Sequence, residues 1–162
     1  MEVVLYEYKF EIKNILLCLI PLIVALIIAI AGFRQMKNVS KVATVFKFSL
    51  SAVLILISAI LCFSKIRNYK VMKDYLNSAD CLTVKGEVTE FHPMPSSGHD
   101  HEHFEINGVY FEYSDYEIIN GYHNAASKGG VITHNGQNLL IKYYHDEKKD
   151  KNIILYIVEE RE

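Results

Sequence analysis

The sequence predicts a membrane α-helical hairpin of two transmembrane helices, followed by a small all-β domain that forms a five-stranded OB-like or SH3-like barrel. Two uncharged apolar stretches, residues 15–33 and 48–64, predict the helices. Alternating polar and apolar residues after position 81 predict the β domain. Charge divides in the same way, because residues 34–73 hold eight basic residues and no acidic one, whereas residues 80–162 hold 15 acidic and seven basic residues. The chain is therefore predicted to be a membrane protein, and its acidic distal part argues against nucleic acid as a partner.

Residues 1–14 are predicted to be an N-terminal tail with an edge strand. Tyr6, Tyr8, Phe10 and Ile12 alternate with charged residues, which is the period of a half-buried strand. An interfacial amphipathic helix is the alternative, but these four positions would scatter around its axis. Two membrane crossings return the chain to its starting side, so we expect Leu5–Ile12 to pair with the β domain or to clamp it against the membrane.

Residues 15–64 are predicted to contain the two transmembrane helices, joined by a basic loop at 34–47. A helix over residues 15–33 spans roughly 28 Å, enough for the hydrocarbon core. The second stretch is shorter, but Lys47 and Lys65 at its ends can extend towards the headgroups. A cleaved signal peptide is the alternative for the first stretch, because Ala29-Ile30-Ala31 resembles a cleavage site, although the apolar run is longer than usual.

The distribution of basic residues predicts the orientation. The loop contains four basic residues and the outer flanks contain six, which favours both termini inside. The three cysteines form no evident disulfide framework, as in a reducing compartment. We therefore expect a multi-pass protein of the cell (inner) membrane with a cytoplasmic C-terminal domain. Neither span contains an ionisable residue, which favours an anchor over a transporter.

Residues 65–80 are predicted to be a basic helical stalk. Ile66, Tyr69, Met72 and Leu76 recur at helical spacing with basic residues between them. Residues 81–162 form the acidic β domain. Its predicted strands are residues 82–89, 103–106, 109–113, 138–144 and 153–158. Asn107-Gly108 predicts a tight hairpin, and residues 116–130 predict a short helix or an irregular crossover. Five strands without a second helix to cover an open sheet favour a barrel, which removes exposed edges.

Four segments carry a resemblance to a known group of proteins. They are GVYFEYSD at 108–115, GGVI at 129–132, GQ at 136–137 and NIIL at 152–155. The pattern resembles small bacterial membrane proteins of unknown function, in which a small β-barrel-like C-terminal domain follows N-terminal hydrophobic helices or stands alone. The resemblance covers residues 82–158 and implies that fold, with no activity attached. The architecture alone is also similar to the membrane-disrupting effectors of bacterial cyclic-nucleotide antiphage signalling.

The segment Phe91–His103 holds four of the seven histidines and is the candidate metal site. Its predicted ligands are His99, His101 and His92, and zinc is the ion that imidazole nitrogens would favour. In an extended segment, alternate histidines project from one face about 6–7 Å apart, so a complete site needs a bend or a donor such as His134 or His145. A solvated polar loop and a pH-responsive cluster are the alternatives. The polar loop is the preferred interpretation, with no cofactor.

No catalytic residue is predicted. Cys81 is a lone thiol at the start of a strand, where packing is its usual role. Seven tyrosines between positions 110 and 156 either pack in the core or form a recognition surface.

The leading hypothesis is a membrane-anchored, non-enzymatic binding or sensing module. Its expected partners are the lipid bilayer, an unknown protein or small-molecule ligand at the β domain, and a second copy of the chain. The alternative is a toxin-immunity or antiphage-defence membrane protein, whose acidic domain would suit a basic partner. A second alternative is a metal-dependent enzyme that uses the His-rich loop.

Overall fold

The computed structural model describes residues 1–10, 12–35, 40–98, 100–117 and 119–161, with the backbone alone at residues 12–14. The chain divides into two compact units. The helical unit comprises Phe10–Val71, and the β unit comprises Met1–Lys9 together with Met72–Glu162. By sequence, the helical unit carries a charge of +7 and the β unit −9.

The helical unit is built from α1 (Ile12–Gln35) and most of α2 (Lys41–Leu76). Both are long and apolar enough to cross a membrane. In their most apolar stretches only 17% of the first helix and 11% of the second is buried. The apolar side chains of the two helices therefore point mostly outwards. The predicted spans 15–33 and 48–64 lie within these helices, and α2 continues through most of the predicted stalk.

A seam of small residues joins α1 to α2. Cys18, Ala25 and Gly32 are buried on α1 at intervals of seven residues, and Ser51 and Ser58 are buried seven residues apart on α2. Oγ of Ser58 donates to the Cys18 carbonyl at 2.8 Å, and Oγ of Ser51 donates to the Ala25 carbonyl at 3.1 Å. A seven-residue repeat keeps these positions on one face of each helix. The partners run in opposite directions, so the two helices pack as an antiparallel pair.

The β unit contains two antiparallel sheets. The first has the order β1-β7-β6-β2, and the second has the order β3-β4-β5. The strands are β1 (Glu2–Glu7), β2 (Leu82–Glu87), β3 (Thr89–His92), β4 (Glu102–Ile106), β5 (Val109–Tyr113), β6 (Asn138–Asp146) and β7 (Lys151–Glu160). Between β5 and β6 lies an irregular crossover with a 3-10 turn at Ala126–Lys128.

The described strands form a β-rich region of two antiparallel sheets and no closed barrel, so the predicted five-stranded OB-like or SH3-like barrel is not confirmed. The run at 82–92 is interrupted at Val88, and its two halves join different sheets. Val88 pairs instead with the loop before β6, because its N–H donates to the Gln137 carbonyl at 3.0 Å and its carbonyl accepts from the N–H of Gly136 at 2.8 Å. Glu90 in β3 has a φ of 53°, which bends this short strand.

The N-terminal tail supplies strand β1. It pairs antiparallel with β7 from Glu2 opposite Glu160 to Glu7 opposite Tyr156, with an irregularity between Val4 and Tyr6. The strand lies earlier than Leu5–Ile12, the range in which alternation predicts it. The difference arises because α1 begins at Ile12, so residues 8–10 connect a strand to a helix.

The β4–β5 hairpin turns at Asn107-Gly108, as the sequence predicts. Both residues have positive φ, 49° and 76°, which is the requirement of a two-residue type I′ turn. This turn sets the register of β4 against β5 from Ile106 opposite Val109 to Glu102 opposite Tyr113.

The two sheets and the crossover bury a common apolar core. Alternation along β4 and β5 directs Phe104, Ile106 and Phe111 into this core. Among the described residues, the buried cluster comprises Val84, Val88, Phe104, Ile106, Phe111, Tyr113, Tyr122, Ile132, Leu139, Ile141, Tyr143, Ile154 and Ile157. The opposite face of β3–β5 is consequently free to carry polar groups.

Candidate functional site

The outward side of the three-stranded sheet carries a cluster of titratable side chains. We call it the histidine face and define it by His92, His101, His103, Tyr110 and Glu112. His103 of β4 and Tyr110 and Glu112 of β5 alternate with buried residues, so the pleat that directs Phe104 and Phe111 inwards directs them outwards. His92 of β3 joins the face as the cross-strand partner of His103, and His101 directly precedes β4.

Three rings form a row across the sheet. His92 and His103 are direct cross-strand partners, and their rings stack with centroids 4.7 Å apart and planes 15° apart. The ring of Tyr110 on β5 lies 5.7 Å from that of His103. Tyr110 is 43% exposed, so one end of the row is open to solvent.

Carboxylates flank the histidines. Nε2 of His92 lies 3.0 Å from Oδ2 of Asp100, and Nε2 of His101 lies 3.7 Å from Oε1 of Glu117. The hydrogen bond to His92 lowers the pKa of the Asp100 carboxyl, so this group stays ionised in the neutral range. The face therefore combines imidazole rings with fixed negative charge.

Lys151 of β7 links two of the carboxylates. Its Nζ lies 2.8 Å from Oε1 of Glu112 and 2.9 Å from Oε1 of Glu117. The hydroxyl of Tyr110 donates to the other oxygen of Glu112 at 3.1 Å. The hydrogen bond from Lys151 lowers the pKa of Glu112 more than burial raises it. For Lys151 itself, burial lowers the pKa, but the bonds to Glu112 and Glu117 outweigh burial and raise it.

Beneath the face lies a buried acid, Glu102, which the sequence reasoning missed. Its side chain is fully buried and accepts hydrogen bonds from the Tyr113 hydroxyl at 2.7 Å and from the N–H groups of Ala126 at 2.8 Å and Met94 at 3.4 Å. Glu102 thereby ties the crossover and the loop after β3 to the sheet. Burial raises the pKa of Tyr113, so that hydroxyl remains a donor. Alternation along β4 could have predicted this burial, because Glu102 lies on the same side of the strand as Phe104 and Ile106.

The structure distributes the predicted metal ligands among separate partners. His92 contacts Asp100 and His101 lies near Glu117, while His99 lies outside the described residues. The additional donors considered, His134 and His145, bond to Thr133 and Asn152 instead. Within the described ranges, no group of three or more His, Cys, Asp or Glu side chains is placed to hold a metal ion.

The remaining sequence candidates have mostly structural positions. Tyr113, Tyr122 and Tyr143 lie in the core, whereas Tyr110 and Tyr116 are exposed. Burial raises the pKa of the Cys81 thiol, which keeps it protonated and disfavours a nucleophilic role.

The comparisons with known proteins add no assignment. No protein-family model, curated protein or solved structure matches the chain. The functional conclusion therefore depends on the two-unit organisation and on the histidine face.

Proposed function

We propose that this protein is a membrane-anchored, non-enzymatic binding or sensing module. In this proposal the helical unit crosses the bilayer twice, and the β unit binds a protein or small-molecule ligand at the histidine face. The observation that carries it is the division of the chain into an outward-apolar helical unit and a β unit with its own closed core.

The exposed surface of the helical unit supports the anchor. Leu17, Ile27 and Phe63 are each more than 60% exposed. Each exposed Å² of apolar surface would cost about 25 cal/mol in water, and a continuous apolar patch on a monomer signals an interaction surface. Lipid tails would cover this surface without any rearrangement of the helices.

The pairing of β1 with β7 supports an even number of crossings. β1 precedes both long helices and β7 follows them, yet the two strands share a sheet. A single crossing would leave them on opposite sides of the bilayer. Cleavage of the first apolar stretch as a signal peptide would remove β1 from the mature chain. Two crossings satisfy the pairing, and we place the β unit in the cytoplasm because the basic residues outside the loop outnumber those within it.

The chemistry of the histidine face supports binding. Planar rings next to ionised carboxylates offer stacking, hydrogen-bond acceptors and a negative field to a ligand. The carboxylates form ion pairs with Lys151 and with imidazole rings, and none of these partners is a candidate nucleophile. This arrangement suits recognition better than group transfer.

Site-specific photo-cross-linking tests the proposed binding surface. A benzoylphenylalanine at position 110 should give a discrete adduct in membranes of the native host, detected as a mass shift on that peptide. Position 82 is a matched control, because Leu82 and Tyr110 are each 43% exposed and lie on different sheets. Equal labelling from both positions, or none from position 110, would contradict the proposal.

A further inference from the structure

We propose that one end of the helical unit is a binding surface for the headgroups of anionic phospholipids. We call it the headgroup surface and define it by Phe10, Lys65, Arg67, Tyr69 and Lys70. The inference depends on the proposed membrane anchor and adds the class of lipid that the anchor binds.

Aromatic pairs mark both ends of the helical unit. Phe10 contacts Tyr69 edge-to-face with ring centroids 5.1 Å apart, and Phe33 contacts Phe48 in the same manner at 5.8 Å. Along α2, the rise from Phe48 to Tyr69 is roughly 32 Å, close to the thickness of about 30 Å of the hydrocarbon core. Aromatic side chains concentrate at the two membrane–water interfaces. The pairs thus assign the bilayer boundaries to Phe48 and Tyr69 on α2.

The apolar surface supports this boundary. Past Ser64, where the predicted span ends, Ile66 is 44% exposed and Val71 is 50% exposed. These side chains continue the exposed apolar surface of α2 beyond the predicted span, on both sides of the level of Tyr69. Lys65 and Arg67 would then start within the hydrocarbon, and their long side chains would extend to the headgroups.

The charges of the surface select an anionic lipid. Lys65, Arg67 and Lys70 are all exposed, and the described part of the helical unit contains no acidic residue. Lys65 lies one helical turn from Tyr69, and Arg67 lies one turn from Lys70. Arg67 and Tyr69 are two residues apart and project to nearly opposite sides of α2, so the cations are distributed around the helix at the level of the aromatic pair. The guanidinium of Arg67 can bind a phosphate in a bidentate manner. A zwitterionic headgroup would leave this positive charge unbalanced.

The opposite end of the helical unit is less suited to the same role. There the ammonium of Lys47 already donates to Oε1 of Gln35. Arg34 and Lys41 lie on either side of residues 36–39, whereas the cations of the headgroup surface belong to one continuous helix. We therefore expect the lipid preference to depend on Arg67 and Lys70 more than on Arg34 and Lys41.

Lipid retention by the full-length protein tests the proposal. The protein is reconstituted in nanodiscs of phosphatidylcholine and phosphatidylglycerol at 70:30, released, and analysed by native mass spectrometry. The wild type should retain phosphatidylglycerol enriched at least about threefold over the bulk ratio. The double variant Arg67→Gln/Lys70→Gln should fall to the bulk ratio. The double variant Arg34→Gln/Lys41→Gln, with the same change of charge, should keep most of the enrichment.

Several outcomes would overturn the assignment. One is the absence of phosphatidylglycerol enrichment in the wild type, and another is an equal loss of enrichment in both double variants. A third is a loss of enrichment in the charge-preserving variant Arg67→Lys/Lys70→Arg, because that result would show dependence on the fold rather than on charge. Circular dichroism confirms that each variant retains its helices. Resistance to alkaline extraction separates this proposal from the anchor: an extractable protein would refute both, whereas a resistant protein without enrichment would refute only the lipid preference.

Discussion

Single residues in the β unit hold segments that are distant in sequence. Glu102 binds groups from the crossover and from the loop after β3, and Lys151 joins Glu112 to Glu117. A buried carboxylate with three donors is costly to disturb, because loss of the acceptor leaves buried donors unsatisfied. These two residues therefore give the sharpest tests at this scale.

Replacement of Glu102 should destabilise the β unit strongly. Glu102→Ala leaves the Tyr113 hydroxyl and two backbone N–H groups without their acceptor, at a cost of about 3–5 kcal/mol. Chemical denaturation of the purified protein, followed by near-ultraviolet tyrosine signals, measures the change. The control Glu105→Ala lies on the outward side of the same strand and should change the unfolding free energy by less than about 0.5 kcal/mol. Similar losses in both variants would contradict the role of Glu102.

The contribution of Lys151 should depend on pH. The pKa of Glu112 is lowered below its usual 4.5, so its stabilisation is present above that value and is lost as the pH falls through the folded-state pKa. The pKa of Lys151 is raised above 10.5, so its stabilisation is lost when the pH rises through that higher value. Lys151→Met should therefore cost about 1–2 kcal/mol at pH 7, and the cost should decrease as the pH falls through the lowered pKa of Glu112. A cost independent of pH between 7 and 3 would contradict this ion pair.

At the scale of elements, α1 and α2 associate through the seam of small residues and two hydroxyl groups. Interhelical hydrogen bonds of this kind contribute about 0.6 kcal/mol each in membranes, so close packing contributes more to the association than the two bonds do. The seam explains why serines and a glycine interrupt otherwise apolar helices. Their positions follow the seven-residue repeat.

Enlarging a seam residue should separate the helices. Ala25 is almost completely buried, so Ala25→Leu has no space and should cost about 1–3 kcal/mol through overpacking. Thermal unfolding of the helical signal in nanodiscs measures the effect. Ile27→Leu changes an outward residue on the same helix and should leave the midpoint unchanged. An unaltered midpoint in Ala25→Leu would show that the seam does not hold the hairpin.

At the scale of the whole molecule, the pairing of β1 with β7 constrains how the proposed anchor would cross the bilayer. In a background without the native cysteines, Val3→Cys with Glu159→Cys should form a disulfide, because these residues are cross-strand partners. Val3→Cys with Thr83→Cys should not, since β2 lies at the far edge of the four-stranded sheet. Failure of the first pair in membranes, or equal formation of both, would contradict the pairing of β1 with β7, on which the inference of two crossings depends.

The anchor itself predicts the response to extraction. Two apolar spans are held by lipid contact rather than by charge, so the protein should stay in the membrane pellet after alkaline carbonate and after high salt. Quantitative immunoblotting of pellet and supernatant measures the distribution. A peripheral membrane protein of similar size is the control and should be released. Recovery of this protein in the carbonate supernatant would refute the anchor.

Local patterns in the sequence determined the local structures. The uncharged runs around Ile15–Phe33 and Phe48–Ser64 are sufficient to predict long apolar helices, because length and composition decide that outcome. Asn107-Gly108 predicted its hairpin, because positive φ is a property of these two residues. The exposed side of the histidine face also follows from alternation once β4 is placed.

Only the tertiary structure decided which distant segments meet. The division of the run at 82–92 between two sheets depends on hydrogen bonds from Val88 to the loop before β6. The residue type of Glu102 gives no sign that it differs from an exposed acidic residue. Only its contacts with Tyr113 and with the N–H of Ala126 show that it is a buried acceptor. The barrel prediction is not confirmed for the same reason, since strand pairing depends on contacts between residues that sequence periodicity does not relate.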